Sequence, residues 1–86
     1  MYKLQFKKTV KKDLKKLGQK TAKKIIREIR NKLLADPKIG TPLKGKEGVI
    51  WKWRVGDYRV VYTFNNKELF ILIIRIAHRK DVYRTL

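Results

Sequence analysis

The sequence predicts a single α+β domain over residues 1–86: an N-terminal strand, a helical hairpin and then a three-stranded antiparallel meander. Apolar residues alternate at the N-terminus, recur every three or four positions up to residue 36, and alternate again from residue 49. Periods of two and of about 3.6 are typical of strands and helices respectively. A chain this short buries only about 60–65% of its unfolded surface, so its core is thin. We therefore expect the helices to pack on one face of a four-stranded sheet.

The N-terminal strand and first helix follow directly from this pattern. Tyr2–Lys7 alternates apolar and polar residues, as expected of a half-buried strand. Thr9 is the predicted N-cap of the helix, and Gly18 is predicted to end it by adopting a positive φ. The buried stripe of this helix is expected to contain Val10, Leu14 and Leu17.

A second helix and a loop complete the first half of the chain. Helical spacing continues until Asp36-Pro37, where the proline disfavours further helix. Residues 37–48 contain two prolines and three glycines, so they are predicted to form a loop without regular structure. The apolar face of the second helix is expected to consist of Ala22, Ile25, Ile26, Ile29 and Leu33.

The second half of the chain predicts a β-hairpin followed by a third strand. Residues 49–55 and 58–64 alternate in polarity around Gly56-Asp57, which is suited to a two-residue turn. Residues 68–76 are apolar on both parities, as expected of a strand covered on both faces. Residues 77–86 form a short polar tail.

A turn at Gly56-Asp57 fixes the register of the hairpin and therefore its two faces. Arg54 is then directly opposite Arg59, and Lys52 lies on the same face. Two arginines in opposition are mildly destabilising, which suggests that function keeps them there. The opposite face is predicted to pack against the helices through Trp51, Trp53, Val55, Tyr58, Val60 and Tyr62.

Charge and composition restrict the classes of function. The chain has 24 Lys or Arg against 7 Asp or Glu, a net charge of +17. Polyphosphate, an acidic protein or an anionic membrane could each satisfy this charge. With no Cys and one His, a Cys/His metal site, a disulfide and a thiol nucleophile are excluded, and no cofactor is predicted. The longest apolar run, residues 69–74, is far too short to cross a bilayer, so a cytoplasmic location is expected.

The polar tail combines basic groups with an aromatic ring. Arginines can hold phosphates while a tyrosine stacks on a base, a combination suited to an extended RNA strand. Alone, this tyrosine could equally cover a sheet edge, and a histidine here could simply be solvated. The residues concerned are His78, Arg79, Lys80, Tyr83 and Arg84.

Two motifs carry a resemblance to a known family. They are WKWRVGDYRVVY at residues 51–62 and HRKDVY at residues 78–83. Together with the order of the elements, they resemble the RelE branch of the RelE/ParE toxin superfamily over nearly the whole chain. The resemblance implies the toxin of a toxin-antitoxin pair, an mRNA interferase that cuts mRNA in the ribosomal A site and so inhibits translation. It also implies a cognate acidic, RelB-like antitoxin.

The resemblance also implies site residues. The basic catalytic positions of the family fall on Lys52, Arg54, Arg59 and Arg79, and its stacking tyrosine falls on Tyr83. Arg54 departs from the best-known RelE pattern, which has lysine there; because arginine is always charged, it cannot transfer a proton. Some relatives use a histidine in the tail, so His78 is a further candidate.

RNA cleavage without a metal or thiol requires the 2′-hydroxyl to attack the adjacent phosphate. The reaction needs a base, cations for the growing phosphate charge and an acid for the leaving oxygen. Lys52 is the candidate base, Arg54 and Arg59 would hold the phosphate, and Arg79 or His78 would serve the leaving group. Two alternatives stay open: a ParE-like toxin that binds and poisons DNA gyrase, and an RNA-binding module without catalysis.

Overall fold

In the computed structural model, which describes residues 2–43 and 50–80, two helices pack on a five-stranded mixed sheet. The strands are β1 (Lys3–Phe6), β2 (Thr41–Leu43), β3 (Ile50–Val55), β4 (Tyr58–Asn65) and β5 (Phe70–His78), in the spatial order β1-β5-β4-β3-β2. The helices are α1 (Lys8–Leu17) and α2 (Gln19–Glu28). β1 pairs parallel to β5, and the other pairs are antiparallel. The predicted α+β class is confirmed, and the predicted number of strands is wrong.

The additional strand, β2, lies in the segment that was predicted to be an irregular loop. After a 3₁₀ turn at Pro37–Ile39, Thr41–Leu43 pairs with β3 at the edge of the sheet. Proline cannot donate a ladder hydrogen bond. Pro42 is tolerated in β2 because one side of an edge strand needs no such bond. A three-residue strand containing proline carries too little alternation to be recognised from sequence.

Helix α1 begins differently from the prediction. Its N-cap is Lys7, without a side-chain cap, and Thr9 is already inside the helix. Lys7 N–H donates to Ile73 O at 3.0 Å, so the chain enters the helix directly from the β1–β5 ladder. The Thr9 hydroxyl instead donates to Ile74 O at 3.4 Å. The predicted end at Gly18 is confirmed by its φ of 85°.

The second helical segment buries three of the five residues predicted for its apolar face, while Ala22 and Ile26 are half-buried, and it ends in a wider turn. Residues Ile29–Leu33 form a π-helical turn, in which Leu34 N–H donates to Ile29 O at 3.0 Å. Ile25, Ile29 and Leu33 are almost completely buried, and each buried side chain of this size contributes about 1.5–3 kcal/mol. The helix stops before Pro37, as predicted, because Asp36 is extended.

The turn before β5 explains why this strand starts later than residue 68. Asn65 Oδ1 accepts hydrogen bonds from Lys67 N–H at 2.8 Å and Glu68 N–H at 3.0 Å. Leu69 then has a φ of 55°, so regular pairing begins only at Phe70.

The core lies between the helices and the inner face of the sheet. Val55, Val60 and Tyr62 are buried, while Trp51, Trp53 and Tyr58 pack partly buried beside them. The predicted wall of the hairpin is therefore confirmed. In the described residues, no helix is long and apolar enough to span a membrane.

Tyr62 joins the sheet to the chain after the helices. Its ring is fully buried, and its hydroxyl donates to Pro37 O at 2.5 Å. Burial raises the pKa of Tyr62 to about 12; the nearby Asp36 carboxylate also raises it, and the Gly40 backbone opposes them. The folded protein therefore holds the phenol proton more tightly than the unfolded chain does.

This difference predicts a loss of stability at alkaline pH. The stabilisation should be present below pH 10 and lost as the pH rises through about 12, an effect of about 2–3 kcal/mol. Tyr62→Phe cannot titrate, so the difference in unfolding free energy between the parent and this variant should shrink across that range. Denaturant unfolding at several pH values measures it. Parallel curves for the two proteins would contradict the assignment.

Candidate active site

The hairpin places three cations on the sheet face opposite the helices. Arg54 pairs with Arg59, and Lys52 pairs with Val61, which confirms the predicted register. No acidic residue occupies either of these rows. This outer face therefore presents a positive patch that can attract phosphate.

Val61 lies at the centre of this patch. It is fully buried although it lies on the face away from the helices. Its neighbours there are Lys52 and Arg75 on the flanking strands, and Arg59 and Thr63 along β4. Long basic side chains can cover an apolar residue with their stems while the charged heads stay in water. We infer that the aliphatic stems of the basic residues around Val61 cover its side chain.

The Gly56-Asp57 turn brings Arg54 and Arg79 to the same end of the sheet. Arg54 Nε donates to Gly56 O at 2.8 Å, and Arg79 N–H donates to Asp57 O at 2.8 Å. Both residues are exposed. The segment after β5 is thus tied to the turn that carries the hairpin cations.

His78 lies on the other side of the sheet. It pairs with Tyr58, and the two rings meet edge to face with centroids 5.6 Å apart. Its Nδ1 accepts a hydrogen bond from Lys80 N–H at 3.3 Å. The imidazole therefore faces away from Lys52, Arg54 and Arg59. Tyr83, the predicted stacking residue, and Arg84 lie outside the described residues.

Arg75 joins the patch although the sequence did not single it out. The β4–β5 ladder shifts register between Val61 and Tyr62: Tyr62 pairs with Ile73, and Val61 pairs with Arg75. Ile74 is the extra residue of this bulge, and regular alternation would have turned Arg75 towards the core. The sequence shows a single arginine within an apolar strand. The face of the sheet on which this arginine lies depends on the bulge and could not be predicted from the alternation alone.

Asp13 of helix α1 contacts both β5 and Arg75. It is 6% exposed; its Oδ2 accepts from Ile76 N–H at 3.1 Å, and its Oδ1 lies 3.4 Å from Arg75 Nη2. β1 ends at Phe6, so this part of β5 is paired with β4 on one side and has no described strand on the other side. The side chains of Thr9 and Asp13, one helical turn apart, therefore bond to backbone groups of β5 that a neighbouring strand would otherwise pair.

The chemistry available on this face is that of fixed cations. Arginine forks can bind phosphate oxygens in pairs, and an ammonium adds a point charge. Within residues 2–43 and 50–80, no group of three or more His, Cys, Asp or Glu is arranged to hold a metal ion.

Comparison with known proteins identifies the family. A protein-family model described as "ParE toxin of type II toxin-antitoxin system, parDE" matches residues 4–83 of the chain. The chain belongs to the RelE/ParE toxin superfamily. This member of the superfamily is 29% identical to Toxin RelG of Mycobacterium tuberculosis over 84 residues, covering 96% of the chain and 97% of RelG. It is 35% identical to Toxin RelE of the same organism over 77 residues, covering 88% and 79%.

The solved structures agree with this assignment. The toxin-antitoxin complex RelBE2 from Mycobacterium tuberculosis matches this RelE/ParE toxin with a TM-score of 0.81 and 28% identity. The match covers 91% of this chain and 98% of that chain. The protein is thus a RelE-family toxin of the toxin-antitoxin type, as the motifs at residues 51–62 and 78–83 predicted.

Proposed function

We propose that this toxin is a ribosome-dependent mRNA endoribonuclease that inhibits translation by cutting mRNA in the ribosomal A site. The observation that carries the proposal is the outer face of the hairpin, where the register of the strands brings Lys52, Arg54 and Arg59 together. Like charges in opposition destabilise a sheet, and a phosphate between them would offset that cost. The similarity to a protein named Toxin RelE supports the same function.

In the proposed reaction, the 2′-oxygen attacks the adjacent phosphorus while the bond to the 5′-oxygen breaks. The products are a 2′,3′-cyclic phosphate and a 5′-hydroxyl. Lys52 acts as the general base and accepts the proton of the 2′-hydroxyl. Arg54 and Arg59 stabilise the charge that grows on the phosphate oxygens.

The leaving oxygen is assigned to Arg79 in preference to His78. The Arg79 backbone is bonded to Asp57 in the turn beside the cations, whereas the His78 ring packs on Tyr58 on the opposite face. Arginine keeps its proton, so Arg79 would stabilise the leaving 5′-oxygen as a cation, and water would supply the proton. Tyr83 would position a base by stacking on it.

An acidic, RelB-like antitoxin is the proposed partner. A net charge of +17 favours association with a negatively charged chain. The structurally similar RelBE2 is a toxin-antitoxin complex, which supports a partner of this kind. An antitoxin that covered the outer face would neutralise its charge and exclude RNA together.

The 2′-hydroxyl gives the sharpest test of the proposal. Ribosomes carrying a defined mRNA are incubated with the toxin, the cut is mapped, and the nucleotide 5′ of the cut is replaced by its 2′-deoxy form. Cleavage at that site should be abolished, because the nucleophile is missing. Substitution of the nucleotide on the 3′ side is the matched control and should leave cleavage intact.

Gyrase poisoning is the second candidate, because the matching family model is described as ParE. A supercoiling assay with DNA gyrase, run on the same preparation, separates the two. Loss of supercoiling without mRNA cleavage would overturn the nuclease in favour of gyrase binding. Ribosome or RNA binding without either effect would instead favour the non-catalytic module.

A further inference from the structure

Arg75 lies where an RNA strand crossing the outer face would pass. It pairs with Val61, which in turn pairs with Lys52, so the two basic residues flank Val61 on neighbouring strands. Strands are about 4.8 Å apart, which separates the Lys52 and Arg75 backbones by about 10 Å. An extended strand held at the hairpin cations can therefore continue over β5 and meet Arg75.

The side chain of Arg75 contacts Asp13 through one nitrogen and is partly exposed to solvent. Asp13 approaches Nη2 at 3.4 Å, and the Arg75 side chain is 31% exposed. Arginine has five N–H donors in a fixed plane, so one carboxylate oxygen leaves others for a second anion. Asp13 is itself fixed by the Ile76 N–H, which makes it a rigid support.

The pair is poorly suited to a purely stabilising role. The Arg75 Nε is buried, with no hydrogen-bond partner in the part of the chain that the structure describes. Partly buried ion pairs with unmet donors are often no more stabilising than apolar residues of similar size. The bulge places Arg75 on the outer face of the sheet, where it is available to bind a ligand.

We propose that Arg75 binds a backbone phosphate of the RNA beside the one held by Arg54 and Arg59, and that Asp13 is a positioning residue for its guanidinium. This inference rests on the proposed function only in placing single-stranded RNA on the outer face. It adds a phosphate contact on β5 and a second role for helix α1, whose Asp13 would orient a substrate-binding side chain.

The salt dependence of RNA binding tests the phosphate contact. The probe is a short single-stranded RNA with 2′-deoxy nucleotides, which cannot be cut. For single strands, each phosphate contact contributes about 0.7 to the slope of log affinity against log salt. Arg75→Gln should therefore reduce the slope by about 0.7, and Arg75→Lys should retain it. Arg27→Gln, an exposed arginine of α2, is the matched control and should leave the slope unchanged.

If Arg75→Gln had the same salt slope as the parent, the phosphate contact would be overturned. The same conclusion would follow if Arg27→Gln reduced the slope as much as Arg75→Gln did. If Arg75→Gln fails to fold, the double variant Asp13→Asn/Arg75→Met removes both charges with similar volumes. Its slope is then compared with that of Asp13→Asn, with the same expected difference. The binding experiment uses an RNA that cannot be cut and is run without ribosomes. A negative result would therefore contradict the Arg75 contact alone, whereas the proposed function is tested by whether the parent protein cleaves mRNA on ribosomes.

The positioning role of Asp13 is tested with Asp13→Asn, which keeps an oxygen for Ile76 N–H but removes the charge. Introduced into the parent protein, Asp13→Asn should lower the affinity for the probe severalfold. Introduced into the Arg75→Gln variant, it should cause no further change in affinity. Tighter binding by Asp13→Asn would mean that Asp13 merely neutralises Arg75, and it would overturn the positioning role. An equal loss in both backgrounds would overturn it too, since the effect would then bypass Arg75.

Discussion

Arg59→Ala is expected to lower the single-turnover rate of mRNA cleavage by a hundredfold or more, while ribosome binding persists. Removal of one fixed donor from a site of growing charge commonly costs this much, about 2.7 kcal/mol or more of transition-state stabilisation. Arg59 pairs with Arg54 and lies two residues from buried Val61, so the register of the sheet places it on the outer face. Rapid-quench measurement with saturating toxin isolates the cleavage step from binding.

Two controls separate lost chemistry from lost structure. Arg59→Met keeps an aliphatic stem near Val61 and should show the same loss of rate with parental thermal stability. Arg27→Ala removes an exposed arginine from α2 and should cut at nearly the parental rate. Parental cleavage by a folded Arg59→Ala would remove the catalytic assignment of this residue, and a low melting temperature for Arg59→Met would place it in a structural role.

Asp13→Ala is expected to destabilise the fold by about 2–3 kcal/mol. The substitution removes a buried carboxylate that accepts from Ile76 N–H and faces Arg75. A buried donor without its partner costs about 1–3 kcal/mol, and loss of the ion pair adds to this. For a domain of this size, the melting temperature should fall by about 10–20 °C.

The neighbouring Lys12 provides the matched control, because it is exposed on the same helix. Lys12→Ala should melt within a few degrees of the parent. Asp13→Asn should lie between the parent and Asp13→Ala, since an amide oxygen can still accept from Ile76 N–H. An Asp13→Ala variant that melts like Lys12→Ala would show that the carboxylate does not secure α1 to the sheet.

The hairpin could be predicted from the sequence because its signals are local. Gly56-Asp57 sets the turn, and the alternation of polarity next to it assigns each residue to a face, so the opposition of Arg54 and Arg59 could be predicted. The bulge at Ile74 could not be predicted in this way. Residues 69–74 are all apolar, so a shift by one residue changes no visible pattern until Arg75.

Long-range pairing was equally hidden. Thr9 has the residue type and position of an N-cap, yet its hydroxyl bonds to Ile74, far along the chain. Asp13 resembles one more polar residue of a lysine-rich helix until β5 is placed beside it. The edge strand Thr41–Leu43 depends on pairing with β3 rather than on its own alternation.

The position of β5 has a consequence for how the toxin is made. β5 is the last strand in the part of the chain that the structure describes, yet it lies between β1 and β4, and Lys3 pairs with Phe70. Contacts between such distant parts of a sequence form late in folding, because a large loop must close first. Until β5 has left the ribosome, β1 has no partner strand and the core lacks Ile71, Ile73 and Ile76. A nascent chain that stops short of residue 70 should therefore remain unfolded.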